Sequence, residues 1–215
     1  DEHGQYDTIV INGANWNLEE SDVEAFLSDG YIPQYVVFNF EANVQFLKKI
    51  IPTFKALGSK IVMNFSPIVT DMRELLSMVD IAVMNLEEAQ QILDIGDEDP
   101  LLLLGRLKSL GPEIVVITQG ADGSVAINVD GRLLHVPAEK AAVKNTVGAG
   151  DGFLATLVYS LGKGIDIEQS MINATLVGKV ICSKTEASIN NEDLFVLNSE
   201  STFAGSVGNS VATKG

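Results

Sequence analysis

Hydrophobic and polar positions alternate along this chain in two rhythms. Short apolar runs rich in β-branched and aromatic residues predict strands: "YDTIVING" (6–13), "QYVVFNF" (34–40), "KIVMNF" (60–65), "DIAVM" (80–84) and "EIVVIT" (113–118). Between them the apolar positions recur at helical spacing. "SDVEAFLSDG" predicts a short helix, and "NVQFLKKIIPTFKALG" (43–58) a longer one that Pro52 should kink. "LEEAQQIL" and "PLLLLGRLKSLG" predict two more. "GSVAINVDGRLLHV" predicts a hairpin turning at Asp130–Gly131, because Asp-Gly accepts the positive φ of a type I′ turn. Two long helices follow, over 151–162 and about 166–185. Strands separated by helices predict a layered α/β fold with a largely parallel sheet. From Asn198 the sequence is small, polar and without period, which predicts a flexible tail over 198–215 behind one domain, 1–197.

Composition narrows the class. At 215 residues the chain can bury one sizeable core, and 46% hydrophobic with 20% charged residues fits a soluble globular protein. No apolar run is long enough for a membrane span, and the start lacks the basic-then-apolar pattern of a secretion signal. The single cysteine, Cys182, excludes an internal disulfide and points to a cytoplasmic setting. A net charge of −15 argues against nucleic acid and anionic membranes as partners. Any phosphate site must then be local, built from backbone amides, a helix end or a metal ion.

The candidate chemistry lies in "NTVGAGDGFLATL" (145–157). Phe153, Leu154, Leu157, Val158 and Leu161 mark one buried helical face, so Gly148, Ala149, Gly150 and Asp151 stand at a helix N-terminus. The first N–H groups there lack intrahelical partners, and the helix dipole adds positive character. Glycine lets a ligand approach the backbone. An anion cup beside a carboxylate suits phosphoryl transfer, with Asp151 as base. The plainer alternative is an Asp N-cap after a glycine-rich turn.

At these residues the chain resembles the ribokinase, or PfkB, family of sugar and nucleoside kinases. "NTVGAGDGF" is similar to that family's C-terminal signature. The resemblance implies Asp151 as catalytic base and Gly148, Ala149 and Gly150 as the anion hole. "MNLEEA" resembles the family's Asn-x-x-Glu motif, so Asn85 and Glu88 are expected near magnesium and the phosphates, often through water. On its own that pair also reads as a capping box. "ITQGADGS" implies Thr118 and Gly120 in a nucleotide loop, and "INATL" implies Asn173 beside the adenine. "NGANWNL" resembles the stretch after the family's lid, at Gly13, Ala14 and Asn15; "FNFEAN" implies Glu41 near the sugar. "MNFSP" resembles a strand end that follows. The resemblance implies a three-layer α/β/α fold, ATP and Mg2+ as cofactors, K+ as a further candidate, and a homodimer through the lid region. D-ribose is the first acceptor to expect. Adenosine or fructose kinases, a non-catalytic nucleotide-binding relative, and a structural α/β domain are the rivals.

The resemblance covers about residues 5–195 but only the later part of a family member. The family's N-terminal strands and most of its lid have no counterpart, so an open sheet edge is expected, and a longer natural protein would explain it. Asn145 stands where the family has Asp, an acid that helps hold a monovalent cation together with a serine matched here by Ser188. Val147 replaces Thr, and Lys184 lies near a glycine position.

Overall fold

In a computed structural model of the chain, residues 11, 13–69, 72–96, 98–190 and 193 are described. Six strands form one sheet in chain order: β1 (Tyr35–Phe38), β2 (Lys60–Asn64), β3 (Ile81–Asn85), β4 (Ile114–Thr118), β5 (Ser124–Ile127) and β6 (Leu133–Val136). The first four are parallel, and β5 and β6 run antiparallel as a hairpin. The helices are α1 (Glu20–Leu27), α2 (Val44–Ala56), α3 (Leu86–Leu93), α4 (Pro100–Lys108), α5 (Ala149–Gly162) and α6 (Ile167–Cys182).

Successive strand residues point to opposite faces, and the core divides accordingly. Ile61, Met63, Ala82 and Met84 join the cluster that α2, α3 and α4 close with Leu47, Ile51, Ala89 and Leu104. Val62, Ile81, Val83 and Val116 face the other way, onto Phe153, Leu154 and Leu157 of α5 and Met171 and Ala174 of α6. The result is the predicted three-layer α/β/α arrangement. Strands buried on both faces explain why their sequences read as continuous apolar runs.

Element boundaries fall within a few residues of their expected places, with some corrections. α5 begins at Ala149, ahead of Asp151. The hairpin does not use a type I′ turn. Gly131 donates to Asn128 O at 3.1 Å, Asn128 donates to Arg132 O at 3.1 Å, and only Gly131 of the loop has positive φ, 81°. That is a three-residue loop with a left-handed glycine before the returning strand. β1 has β2 on one side and no strand among the described residues on the other. The strand expected over 6–13 and the tail over 198–215 lie largely or wholly outside the described residues. Among the described residues no helix is long and apolar enough to cross a membrane.

The parallel order sets the place of the chemistry. β1 to β4 end side by side, and ligands of open α/β sheets bind beyond the carboxyl ends of their strands. The opposite end is tied by charge. Asp80 accepts from Ile61 N–H at 2.7 Å and pairs with Lys60, which also pairs with Glu113 at 2.9 Å.

Candidate active site

Three consecutive parallel strands finish with an asparagine followed by an apolar residue: Asn39–Phe40 just after β1, Asn64–Phe65 ending β2, Asn85–Leu86 ending β3. Phe40 and Phe65 turn into the core, their rings 5.4 Å apart, and anchor the ends of their strands. Asn39 and Asn64 then line a cleft of about 220 Å³ with Val37, Phe38, Ala42, Leu154 and Asp151. Asp151 is therefore brought from the far layer onto the ends of β1 and β2. Asn39, Asn64 and the apolar wall were not among the expected site residues. The repeated Asn-apolar pair was the available signal.

The α5 N-terminus is built by its turn. Gly148 is the N-cap, in left-handed geometry (φ 82°, ψ −6°), with no side chain to cap the helix. Asp151 is the third helical residue and exposed, so the N-cap alternative for Asp151 does not hold. The first intrahelical bond is Gly152 N–H to Gly148 O, 2.9 Å. Ala149 N–H is already engaged by Thr146 O at 3.2 Å. The N–H groups of Gly148, Gly150 and Asp151 have no intrahelical acceptor and are the ones left for an anion. Ala149 thus frames the cup, contrary to the expectation that its amide donates.

Asn85 and Glu88 form the capping box. Asn85 Oδ1 accepts from Glu88 N–H at 2.8 Å, and Glu88 Oε2 accepts from Asn85 N–H at 2.7 Å. Glu88 is only 8% exposed. Burial pushes its carboxyl above the usual range, opposed by the Asn85 N–H and the Ser66 hydroxyl. A raised folded-state value means the folded chain holds this proton more tightly than the unfolded chain. Stability is then greatest below the ordinary glutamate range and declines as pH rises from there through the raised value. Glu88→Gln keeps an acceptor for Asn85 N–H and removes the buried charge. Urea midpoints from acid to neutral pH should lose that decline, with the variant at least as stable as the parent at neutral pH. A variant markedly less stable at neutral pH contradicts this assignment.

From Glu88 the rim continues. Ser66 lies two residues beyond Asn64, and Asn85 is paired in register with Thr118 at the end of β4. Thr118 Oγ1 lies 3.5 Å from Met84 O, and Gly120 opens a short 3-10 turn, Gly120–Asp122. Asp151, Asn64, Ser66, Glu88, Asn85, Thr118 and Gly120 thus succeed one another along the strand ends. On the other flank, Asn15 Nδ2 reaches Glu41 Oε2 at 3.5 Å, and Glu41 N–H donates to Asn39 Oδ1 at 3.2 Å. The stretch likened to the segment after the lid thus meets the residue expected near the sugar, beside the cleft.

Asn173 is buried between α5 and α6. It is 1% exposed, accepts from Gln169 Nε2 at 3.1 Å and donates to Ser160 Oγ at 3.2 Å. Ser160 lies nine residues along α5 from Asp151, roughly 13 Å down the helix axis at 1.5 Å per residue. Asn145 Oδ1 accepts from Val147 N–H and its Nδ2 donates to Thr185 O, both at 3.0 Å; Ser188 is exposed on the 183–188 turn. Both polar atoms of the Asn145 amide thus have partners within the chain. Among the described residues no group of three or more His, Cys, Asp or Glu is placed to hold a metal.

Residues 2–194 match the profile of the pfkB family carbohydrate kinases. A 1-phosphofructokinase of Haemophilus influenzae is 35% identical over 97 residues, 45% of this chain and 31% of that protein. A ribokinase of Staphylococcus aureus is 28% identical over 166 residues, 76% of this chain and 54% of that protein. The structure of Arabidopsis thaliana ribokinase, solved with ribose and ATP, superposes with a TM-score of 0.77 at 19% identity, over 87% of this chain and 63% of that one. The chain spans about a third to a half of the length of these curated relatives.

Proposed function

Because the chain belongs to the pfkB family of carbohydrate kinases, we propose that it transfers the γ-phosphoryl group of ATP to a hydroxyl of a neutral sugar, with D-ribose the first acceptor. One observation carries the reading: among the described residues, the cleft over the α5 N-terminus holds a single ionisable side chain, Asp151, between two asparagine amides and an apolar wall. Amides match polyol hydroxyls. Among the described residues no lining residue is basic, so these supply no partner for a second phosphate on the acceptor. That favours a free sugar over the sugar phosphate of a phosphofructokinase.

Asp151 takes the proton of the attacking hydroxyl as its oxygen bonds to the γ-phosphorus. The bond from phosphorus to the bridging oxygen breaks, and ADP leaves with the electron pair. The N–H groups of Gly150 and Asp151, at the positive end of α5, stabilise charge on the moving group. Thr118 and Gly120 hold the nucleotide beyond β4. Asn173 serves by tying α6 to α5. Asn85 and Glu88 would hold the water shell of a magnesium ion bound to the triphosphate. Such an ion supplies the charge neutralisation that a chain of net charge −15 lacks. Glutamine would cap α3 as well as Glu88 does, so a buried, proton-hungry acid at this rim argues for a role in binding.

The rival reading is a chain that binds nucleotide without turnover. An acceptor panel decides. Phosphorylation of D-ribose, D-fructose and adenosine is followed as ADP release, beside calorimetric ATP binding. The reading expects highest kcat/KM for ribose. ATP binding with no turnover on any acceptor would support the rival.

A further inference from the structure

We propose that Asn145 is a positioning residue that stands in for a monovalent cation: its side-chain amide bridges the turn before α5 to the 183–188 turn. The two turns are stitched together. Lys144 N–H donates to Cys182 O at 2.8 Å, and Asn145 N–H to the same oxygen at 3.3 Å. Asn145 Nδ2 then reaches Thr185 O at 3.0 Å, while Asn145 Oδ1 receives Val147 N–H at 3.0 Å. Further along, the turns are in contact, since a Cβ on Gly148 would lie 2.7 Å from Ala187 O. On its other side the 183–188 turn is held by Lys184, whose ammonium pairs with Asp193. Gly148 is the N-cap of α5, so this seam fixes where the Gly150 and Asp151 N–H groups point.

The orientation of the amide follows from its partners. Val147 N–H can only donate and Thr185 C=O can only accept, so the oxygen faces Val147 and the nitrogen faces Thr185. An aspartate in the same place would keep the bond from Val147 but set a charged oxygen against the Thr185 carbonyl oxygen. Two acceptors at 3.0 Å need a proton on one of them or a cation beside both, and at neutral pH, where an aspartate is ordinarily charged, a monovalent cation supplies the attraction. The asparagine supplies a proton donor instead. The chain that carries it assembles this turn without K+.

The inference rests on the proposed function only for its kinetic consequence, so the primary readout is thermal. The full chain and its Asn145→Asp and Asn145→Ala variants are melted in choline, sodium and potassium chloride at equal ionic strength. The parent should melt at one temperature in all three. Asn145→Asp should melt several degrees lower in choline and recover in K+, while Asn145→Ala melts lower in every salt without recovery. A saturable rise of the parent's midpoint with K+ overturns the proposal, as does an Asn145→Asp variant that folds and ignores the salt. If Asn145→Asp folds in no salt, the parent's K+ titration and Asn145→Ala decide alone. Where turnover is measurable, the parent's rate should be the same in K+ and choline, and Asn145→Asp should need K+. Absence of turnover would count against the proposed function and leave the thermal result standing.

Discussion

Asp151→Asn is expected to lower turnover by at least about 100-fold while ATP binds with little change in affinity. The substitution is close to isosteric and removes the one group among the described cleft residues that can take a proton from an attacking hydroxyl. The variant should also fold like the parent. Asp151 is exposed at the third position of α5, and the cap of that helix is the backbone of Gly148. Loss of a first-turn acid weakens the helix dipole interaction by only about 0.3–1 kcal/mol. Steady-state kinetics with calorimetric ATP titration separate the two effects. Equal turnover in the variant would remove Asp151 from the base role.

Gly148→Ala should damage the fold and the activity together, whereas Gly150→Ala should damage the activity alone. At Gly148 the backbone sits at φ 82°, and an added Cβ would lie 2.7 Å from Ala187 O and 3.1 Å from Ala187 Cβ. The strained conformation and the displaced turn together should lower stability by about 1–3 kcal/mol. Turnover falls with it, because the seam that aims the α5 N–H groups opens. At Gly150 an added Cβ meets nothing within 4 Å, and φ is not in the left-handed region. Alanine there suits a helix as well as glycine or better. What the methyl group would crowd is the anion itself, where the backbone is bare. Denaturant midpoints beside kcat/KM read both variants. A Gly150→Ala chain with full stability and full turnover would contradict the anion cup.

Much of the architecture is legible in the chain. Uninterrupted apolar strands between amphipathic helices dictate two buried faces and thus three layers, and Phe153, Leu154 and Leu157 mark the buried side of α5 as read. The Asn85–Glu88 spacing is itself a capping box. What stays hidden depends on partners distant in sequence. Asn39 and Asn64 become cleft residues only because β1 and β2 pair in parallel with their ends aligned. Asn173 follows a helical pattern that does not reveal depth, and the depth comes from Ser160 on the facing helix. Asn145 looks like a weakened cation ligand until Thr185, 40 residues away, turns its amide into a bridge. The Asp130–Gly131 pair signals a turn but not its length, which the Asn128–Arg132 pairing sets.

The central claim is phosphoryl transfer from ATP to a neutral sugar at the α5 N-terminus. Phosphorus NMR tests it most directly, on the full chain and on Asp151→Asn, with ATP, magnesium and D-ribose. The account predicts that the parent converts ATP to ADP with a new sugar phosphomonoester signal, and that the variant leaves ATP unchanged over the same time. ATP left intact by a folded parent would contradict it, as would inorganic phosphate released regardless of ribose or an equal phosphomonoester signal from the variant.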